Sequence, residues 1–258
     1  MVSQVTPQNV NQYNYYDAVA RKYWDRKYFF DTFCFNPVTS KVGGGAATGT
    51  AGDNNVLGSG QAIYEWFVIG TQTILAPKID AFGLNLASQD ATAGDGIELC
   101  QGIQALSPSS FVIGTDAAFY MQTEFKVEDA SGCNPLIVGL RKAAAFDATL
   151  ANYTDFVSIG IVGTANPNTI KIQTQIATGG VVTTDTTQTW ADAATHRLGI
   201  YVSAAGVVTY QVDNAAPTAT AAYTFANALT VIPFVRFTQA ADLSTQASCD
   251  WYEVGYQR

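Results

Sequence analysis

The chain has 258 residues, enough for one domain to bury roughly 75% of the surface its unfolded form exposes, so its core requires no metal or disulfide staple. Charged residues make up only 13%, while Thr, Ala, Gly and aromatics are abundant, a composition suited to short strands and tight turns. The net charge of −8 is uneven: residues 1–52 hold five basic and three acidic residues (+2), and the rest holds eight basic and eighteen acidic (−10), a balance that repels phosphate backbones and excludes nucleic-acid binding by the main body.

In chain order, Met1–Tyr16 is polar and lacks the basic start and apolar stretch of a secretion signal. Residues 1–38 then become densely aromatic and basic, with Tyr13, Tyr15, Tyr16, Arg21, Tyr23, Trp24, Arg26, Tyr28, Phe29 and Phe30. Aromatic and arginine side chains are the usual anchors of protein interfaces, so this segment reads as an anchoring arm. The plainer reading is that it covers an edge of the main domain as an extra strand or helix. Asp17 is placed to cap a short helix through Lys27. Residues 39–60, TSKVGGGAATGTAGDNNVLGSG, are too rich in glycine and small polar residues to pack a core, and predict a flexible connector.

From residue 61 to 258 the pattern becomes two-residue alternation. Phe119, Met121, Thr123, Phe125 and Val127 alternate with Tyr120, Gln122, Glu124 and Lys126, predicting one buried and one wet face. Ile170, Ile172, Thr174 and Ile176 alternate with Lys171, Gln173 and Gln175 in the same way. An alanine-rich stretch between Ala143 and Asn152 allows one short helical turn. Leu198, Ile200 and Val202, then Ala204-Ala205-Gly206, then Val208, Tyr210 and Val212 form a hairpin signal. Leu229–Phe237 and Cys249–Tyr256 add two strands. No long helical period interrupts the series, so the expected architecture is all-β, a two-sheet antiparallel jelly-roll sandwich with an N-terminal extension.

Cys34, Cys100, Cys133 and Cys249 are too widely spaced for a metal site and read as buried thiols of a chain made in a reducing cytoplasm. No apolar run is long enough to span a membrane. The single histidine, His196, would have to serve any Ser-His or Cys-His nucleophile. Its plain reading is a strand-edge histidine; its sharper one is a catalytic base. Glu124, Lys126 and Glu128 read as a solvated strand end rather than a glycosidase pair. Asp95 and Glu98 flank a glycine turn, where calcium is the sharper reading and an ordinary polar turn the plain one. Gly43-Gly44-Gly45 lacks a phosphate-binding pattern. The expectation is a protein without catalytic residues, cofactor or metal.

The segment Trp190–Asn214, W-A-D-A-A-T-H-R-L-G-I-Y-V-S-A-A-G-V-V-T-Y-Q-V-D-N, resembles the W…H-x-L-x-I-x-V…G-x-V-x-Y-x-[VI]-D-[GN] hairpin of concanavalin A-like and laminin-G-like jelly rolls. Asp250-Trp251-Tyr252-Glu253-Val254 is similar to the closing strand of that superfamily. Ala62–Trp66, Gly83–Leu86, Asp95–Leu99, Phe111–Asp116 and Ala165–Pro167 resemble jelly-roll proteins encoded among the head genes of tailed phages, over about residues 56–258. That resemblance implies a capsid decoration, cement or head-fibre protein on the virion surface. Its arm would dock on the major capsid protein, with self-association as a trimer or dimer, after assembly in the host's cytoplasm. The alternative it implies is a carbohydrate-binding or receptor-binding module recognising host surface glycans, with Trp190, Tyr201 and Tyr210 as candidate contacts. The E-x-D-x-x-E strand of the superfamily's glucanases is missing, so the resemblance carries no hydrolase.

Overall fold

The computed structural model describes residues 28–31, 64–70, 78–86, 92–101, 110–163, 168–242 and 244–257. Its first strands are β1 (Tyr28–Asp31), β2 (Tyr64–Ile69), β3 (Lys78–Ile79), β4 (Leu84–Asn85), β5 (Gly96–Gln101) and β6 (Phe111–Val112). The long central strands are β7 (Phe119–Val127), β8 (Cys133–Lys142), β9 (Phe156–Ile161), β10 (Thr169–Gln175) and β11 (Val182–Thr189). The chain closes with β12 (Thr195–Val202), β13 (Val208–Val212), β14 (Thr230–Gln239) and β15 (Ala247–Tyr256). One sheet, called A, runs β13-β12-β7-β15-β4-β3 with β1 added on β15; the other, B, runs β11-β10-β9-β8-β14-β5-β2 with β6 on β14. Every pairing is antiparallel. The expected all-β sandwich is what forms.

The core lies between the sheets. Alternate residues of β7 point inward, so Phe119, Met121, Thr123, Phe125 and Val127 are buried and the residues between them are half-buried. They meet Ile97, Leu99, Val138, Ile159 and Phe237 from sheet B. Phe111 stacks on Phe119 at 4.1 Å between ring centroids. The β12–β13 hairpin forms in the expected register, Leu198 opposite Val212 and Val202 opposite Val208. Its turn holds Gly206 at φ +87°, a conformation that favours a residue without Cβ.

Sheet B departs from the one-face-wet expectation. On β10, Lys171, Gln173 and Gln175 are nearly as buried as Ile170 and Ile172 beside them, at 8%, 8% and 5% exposure, while Ile176 is exposed. The reason is a second apolar layer on the outer side of sheet B. The segment from Ala143 to Asp155, with its single 3-10 turn at Leu150–Asn152, folds back over Ile137, Phe156, Ile232 and Phe234. It plants Phe146 flat on Phe67, with centroids 4.6 Å apart.

Cys100, Cys133 and Cys249 are buried, unbridged thiols. Burial pushes the Cys100 and Cys133 thiols far up, and the thiolate is the reactive form. A Cys34→Ser variant should therefore resist an aromatic disulfide reagent while folded and expose all three thiols on denaturation. Rapid labelling of the native protein would contradict this packing.

No helix among the described residues is long and apolar enough to cross a membrane.

Candidate functional site

On the outer face of sheet A, β7, β12, β13 and β15 project Tyr120, Gln122, Glu124, Arg197, Tyr201, Gln211, Trp251 and Glu253, all half-buried. These groups largely satisfy one another. Tyr201 stacks against Tyr120 at 5.8 Å, accepts from Gln122 Nε2 and donates to Gln211 Oε1 at 3.0 Å. Tyr120 donates to Glu253 at 2.6 Å, and Arg197 lies 4.9 Å from the Trp251 ring while pairing with Glu124 at 3.3 Å. The patch is a cross-strand ladder of the kind that stabilises sheets.

Two of the three candidate glycan contacts are corrected here. Trp190 and Tyr210 are 0% and 2% exposed, so they are core side chains with no ring face to offer a sugar. Trp190 plugs the end of the sandwich and donates from Nε1 to the Ala194 carbonyl at 3.2 Å. Only Tyr201 reaches the surface, and its hydroxyl is already committed.

His196 places Nδ1 2.8 Å from Asp213 Oδ2, with Trp190 edge-on 4.8 Å away. Among the described residues no serine, threonine or cysteine hydrogen-bonds to it, so the pair stands without a nucleophile. Lys126 pairs with Glu128 at 2.7 Å at the exposed strand end. Asp95 and Glu98 do not converge on one site, because strand alternation separates the two side chains. Asp95 is held by Thr92 Oγ1 at 2.8 Å, and Glu98 is fully buried among donors. The described residues contain no group of three or more side chains suited to a metal.

Tyr13, Tyr15, Tyr16, Arg21, Tyr23, Trp24 and Arg26 lie outside the described residues, as does the Asp17–Lys27 helix. For Tyr28, Phe29 and Phe30 the backbone forms β1, paired with Gly255, Val254 and Glu253. This part of the arm adds a strand to sheet A.

The outer face of sheet B carries what sequence reading missed. Glu98 Oε1 accepts from Arg141 Nε at 3.2 Å, Tyr153 OH at 2.9 Å and Cys100 Sγ at 3.3 Å. Its Oε2 accepts from Arg236 Nη1 at 3.1 Å. Arg141 sits over the Tyr153 ring at 4.4 Å and also donates to the carbonyls of Lys142 and Ala144. Arg236 donates to the carbonyls of Asp147 and Ala148, so both arginines pin the Ala143–Asp155 segment to the sheet. Burial, with Glu98 close by, pushes the Tyr153 phenol far up, which keeps it a neutral donor. The available signal was an arginine inside an otherwise apolar strand, as in Val235-Arg236-Phe237 and Leu140-Arg141.

Beside this cluster a groove of about 320 Å³ opens on the same face. Its polar lining is Asn134, Gln173, Arg236 and Thr238, and its apolar lining includes Ile69, Pro135, Leu150 and Val162. Gln173 donates to Thr183 at 3.4 Å, but its buried Oε1 has no partner, and neither does Ser158 Oγ opposite it on β9. A buried acceptor left unmet costs about 1–3 kcal/mol, so such atoms mark where a donor belongs.

Neither a protein-family model nor a curated protein sequence matches the chain. Solved structures do. A structure described as concerning endo-acting O-glycanases, expressed by prominent members of the human gut microbiota to initiate mucin breakdown, superposes with a TM-score of 0.55 at 11% identity, covering 89% of this chain and 99% of that one. The carbohydrate recognition domain of Emp47p matches with a TM-score of 0.50 at 13% identity, over 85% and 95% of the two chains. The fold is a concanavalin A-like jelly roll. The metal-free exoplasmic/lumenal domain of VIP36 matches the same jelly roll with a TM-score of 0.50 at 9% identity, over 85% of this chain and 91% of that one. At these identities the likeness concerns the fold alone.

Proposed function

We propose that this jelly roll is a non-catalytic carbohydrate-binding module that holds a sugar in the groove on the outer face of sheet B. One observation carries the reading: a groove of about 320 Å³ combines an unmet buried acceptor on Gln173 with an apolar wall. That volume lies at the small end of ligand pockets, which run from roughly 300 to 1,000 Å³, and suits a single sugar ring. A pyranose presents hydroxyl donors at its edge and C–H groups on its face, matching the polar lining of Gln173 and Asn134 and the apolar lining of Leu150, Val162 and Pro135. The carbohydrate-binding neighbours of the same fold support this reading.

The test is a glycan array probed with the full chain, followed by affinity measurement for the best binder. Gln173→Leu should weaken that binder by about 3- to 10-fold, the value of one neutral hydrogen bond. Tyr201→Ala, on the opposite sheet, should leave it unchanged. An array without binders, or a loss confined to Tyr201→Ala, would overturn the assignment. The binder should be recovered intact, with no new reducing ends.

For the place of display we infer a virion surface, with the major capsid protein as partner, supported by the resemblance of residues 56–258 to phage head-gene jelly rolls and by the aromatic, basic leader. Because β1 belongs to sheet A, the informative truncation removes residues 1–27 and keeps Tyr28–Asp31. The truncated protein should fold yet fail to copurify with capsids. Undiminished occupancy would refute the anchor.

A further inference from the structure

Five charged side chains are buried among the described residues: Asp95, Glu98, Arg141, Lys171 and Arg236. Asp95 is engaged by Thr92 at the start of β5. The other four project onto the outer side of sheet B, where one carboxyl faces two guanidinium groups, and Lys171, two residues along β10 from Gln173, donates to the Val162 carbonyl at 3.1 Å. Even with Glu98 ionised, the Glu98–Arg141–Arg236 cluster carries an excess of +1, in a chain whose net charge is −8. None of the neighbouring groups forms a second ion pair with it among the described residues. Burial keeps Cys100 a neutral thiol and Tyr153 a neutral phenol. The Asp147 carboxylate accepts from Thr149 N at 2.7 Å and Asn152 Nδ2 at 3.0 Å, and the ion pairs of both guanidinium groups are with Glu98 alone among the described residues.

A buried cation without a counter-charge is costly, and proteins meet that cost with a paired anion. Arg236 is the member of the cluster that lines the groove. A guanidinium has five N–H donors, and three of these are used, on Glu98, Asp147 and Ala148. Two therefore have no protein partner among the described residues.

We infer that the groove selects an anionic pyranose, a sugar ring bearing a carboxylate or sulfate, whose charge completes the cluster at Arg236 while a ring hydroxyl donates to Gln173 Oε1. This deepens the carbohydrate-binding reading and rests on it. Planar guanidinium suits oxyanion groups, because two parallel N–H donors meet two oxygens. The acidic body surface, by contrast, gives no general affinity for anions, so preference for an acidic sugar has to arise locally.

The experiment titrates the full chain by calorimetry with two matched pairs: trigalacturonate against its methyl ester, and 3′-sulfated lactose against lactose. At least one acidic probe should bind roughly 10- to 100-fold more tightly than its neutral partner, the worth of a hydrogen bond to a charged group. The two pairs tell carboxylate from sulfate. Equal affinity within both pairs would overturn the anionic preference and leave the sugar site standing. Silence from all four probes would also overturn it, and a neutral binder on the array would then show that the groove takes uncharged glycans. The comparison uses one unmodified protein, so it does not depend on a variant's folding.

Discussion

Glu98→Gln is expected to destabilise the protein by about 3–5 kcal/mol, the typical cost of removing one partner from a buried ion pair. The substitution preserves the side chain's shape but removes the charge that two guanidinium groups share in a site with no exposure at all. The amide can still accept from Tyr153, but its NH₂ group points a donor at a cluster already made of donors. The Ala143–Asp155 segment should loosen as well, because Arg141, Arg236 and Tyr153 hold it only while they are themselves held by Glu98. Denaturant unfolding of both proteins at neutral pH measures the difference. A loss below about 1 kcal/mol would mean that the arginines reach water. A triple variant, Glu98→Leu with Arg141→Met and Arg236→Met, should recover much of the lost stability, since well-packed apolar replacements of buried ion networks are often neutral or stabilising. If it does so while losing sugar binding, the charges serve the groove rather than the fold.

Trp190→Ala is the second large effect, at about 3–5 kcal/mol. The indole is fully buried against the hairpin strands and His196, and it satisfies the Ala194 carbonyl. Truncation leaves a cavity the size of an indole at the end of the sandwich, where the β12–β13 strands cannot close on it without breaking their register. Thermal unfolding would show the loss. Ligand affinity, measured where the variant is still folded, should stay within twofold of the parent. A variant of near-normal stability that has lost its ligand would restore Trp190 as a contact.

These two expectations also show where sequence reading reaches its limit. Strand alternation placed β7 and the β12–β13 hairpin correctly, because a two-residue period has one structural meaning once turns bound it. The same rule misread Lys171, Gln173 and Gln175 as wet. Alternation reports which residues share a face, and it does not report what lies over that face. The cover comes from a segment following β8, and its stacking of Phe146 on Phe67 joins residues far apart in the chain. Aromatic type alone likewise could not separate Trp190 and Tyr210, inside the sandwich, from Tyr201, on its surface.

The amino-acid sequence by itself determined the fold class, an all-β sandwich, because polar and apolar side chains alternate along β7 and the β12–β13 hairpin and stacking two sheets buries the apolar faces those strands share. Tertiary structure alone decided the site. Glu98, Arg141 and Arg236 come from three strands that are distant in the chain yet adjacent in sheet B, and the folded-back segment covers them. Charge and burial at one groove are properties of that juxtaposition, and no local pattern in the chain encodes them.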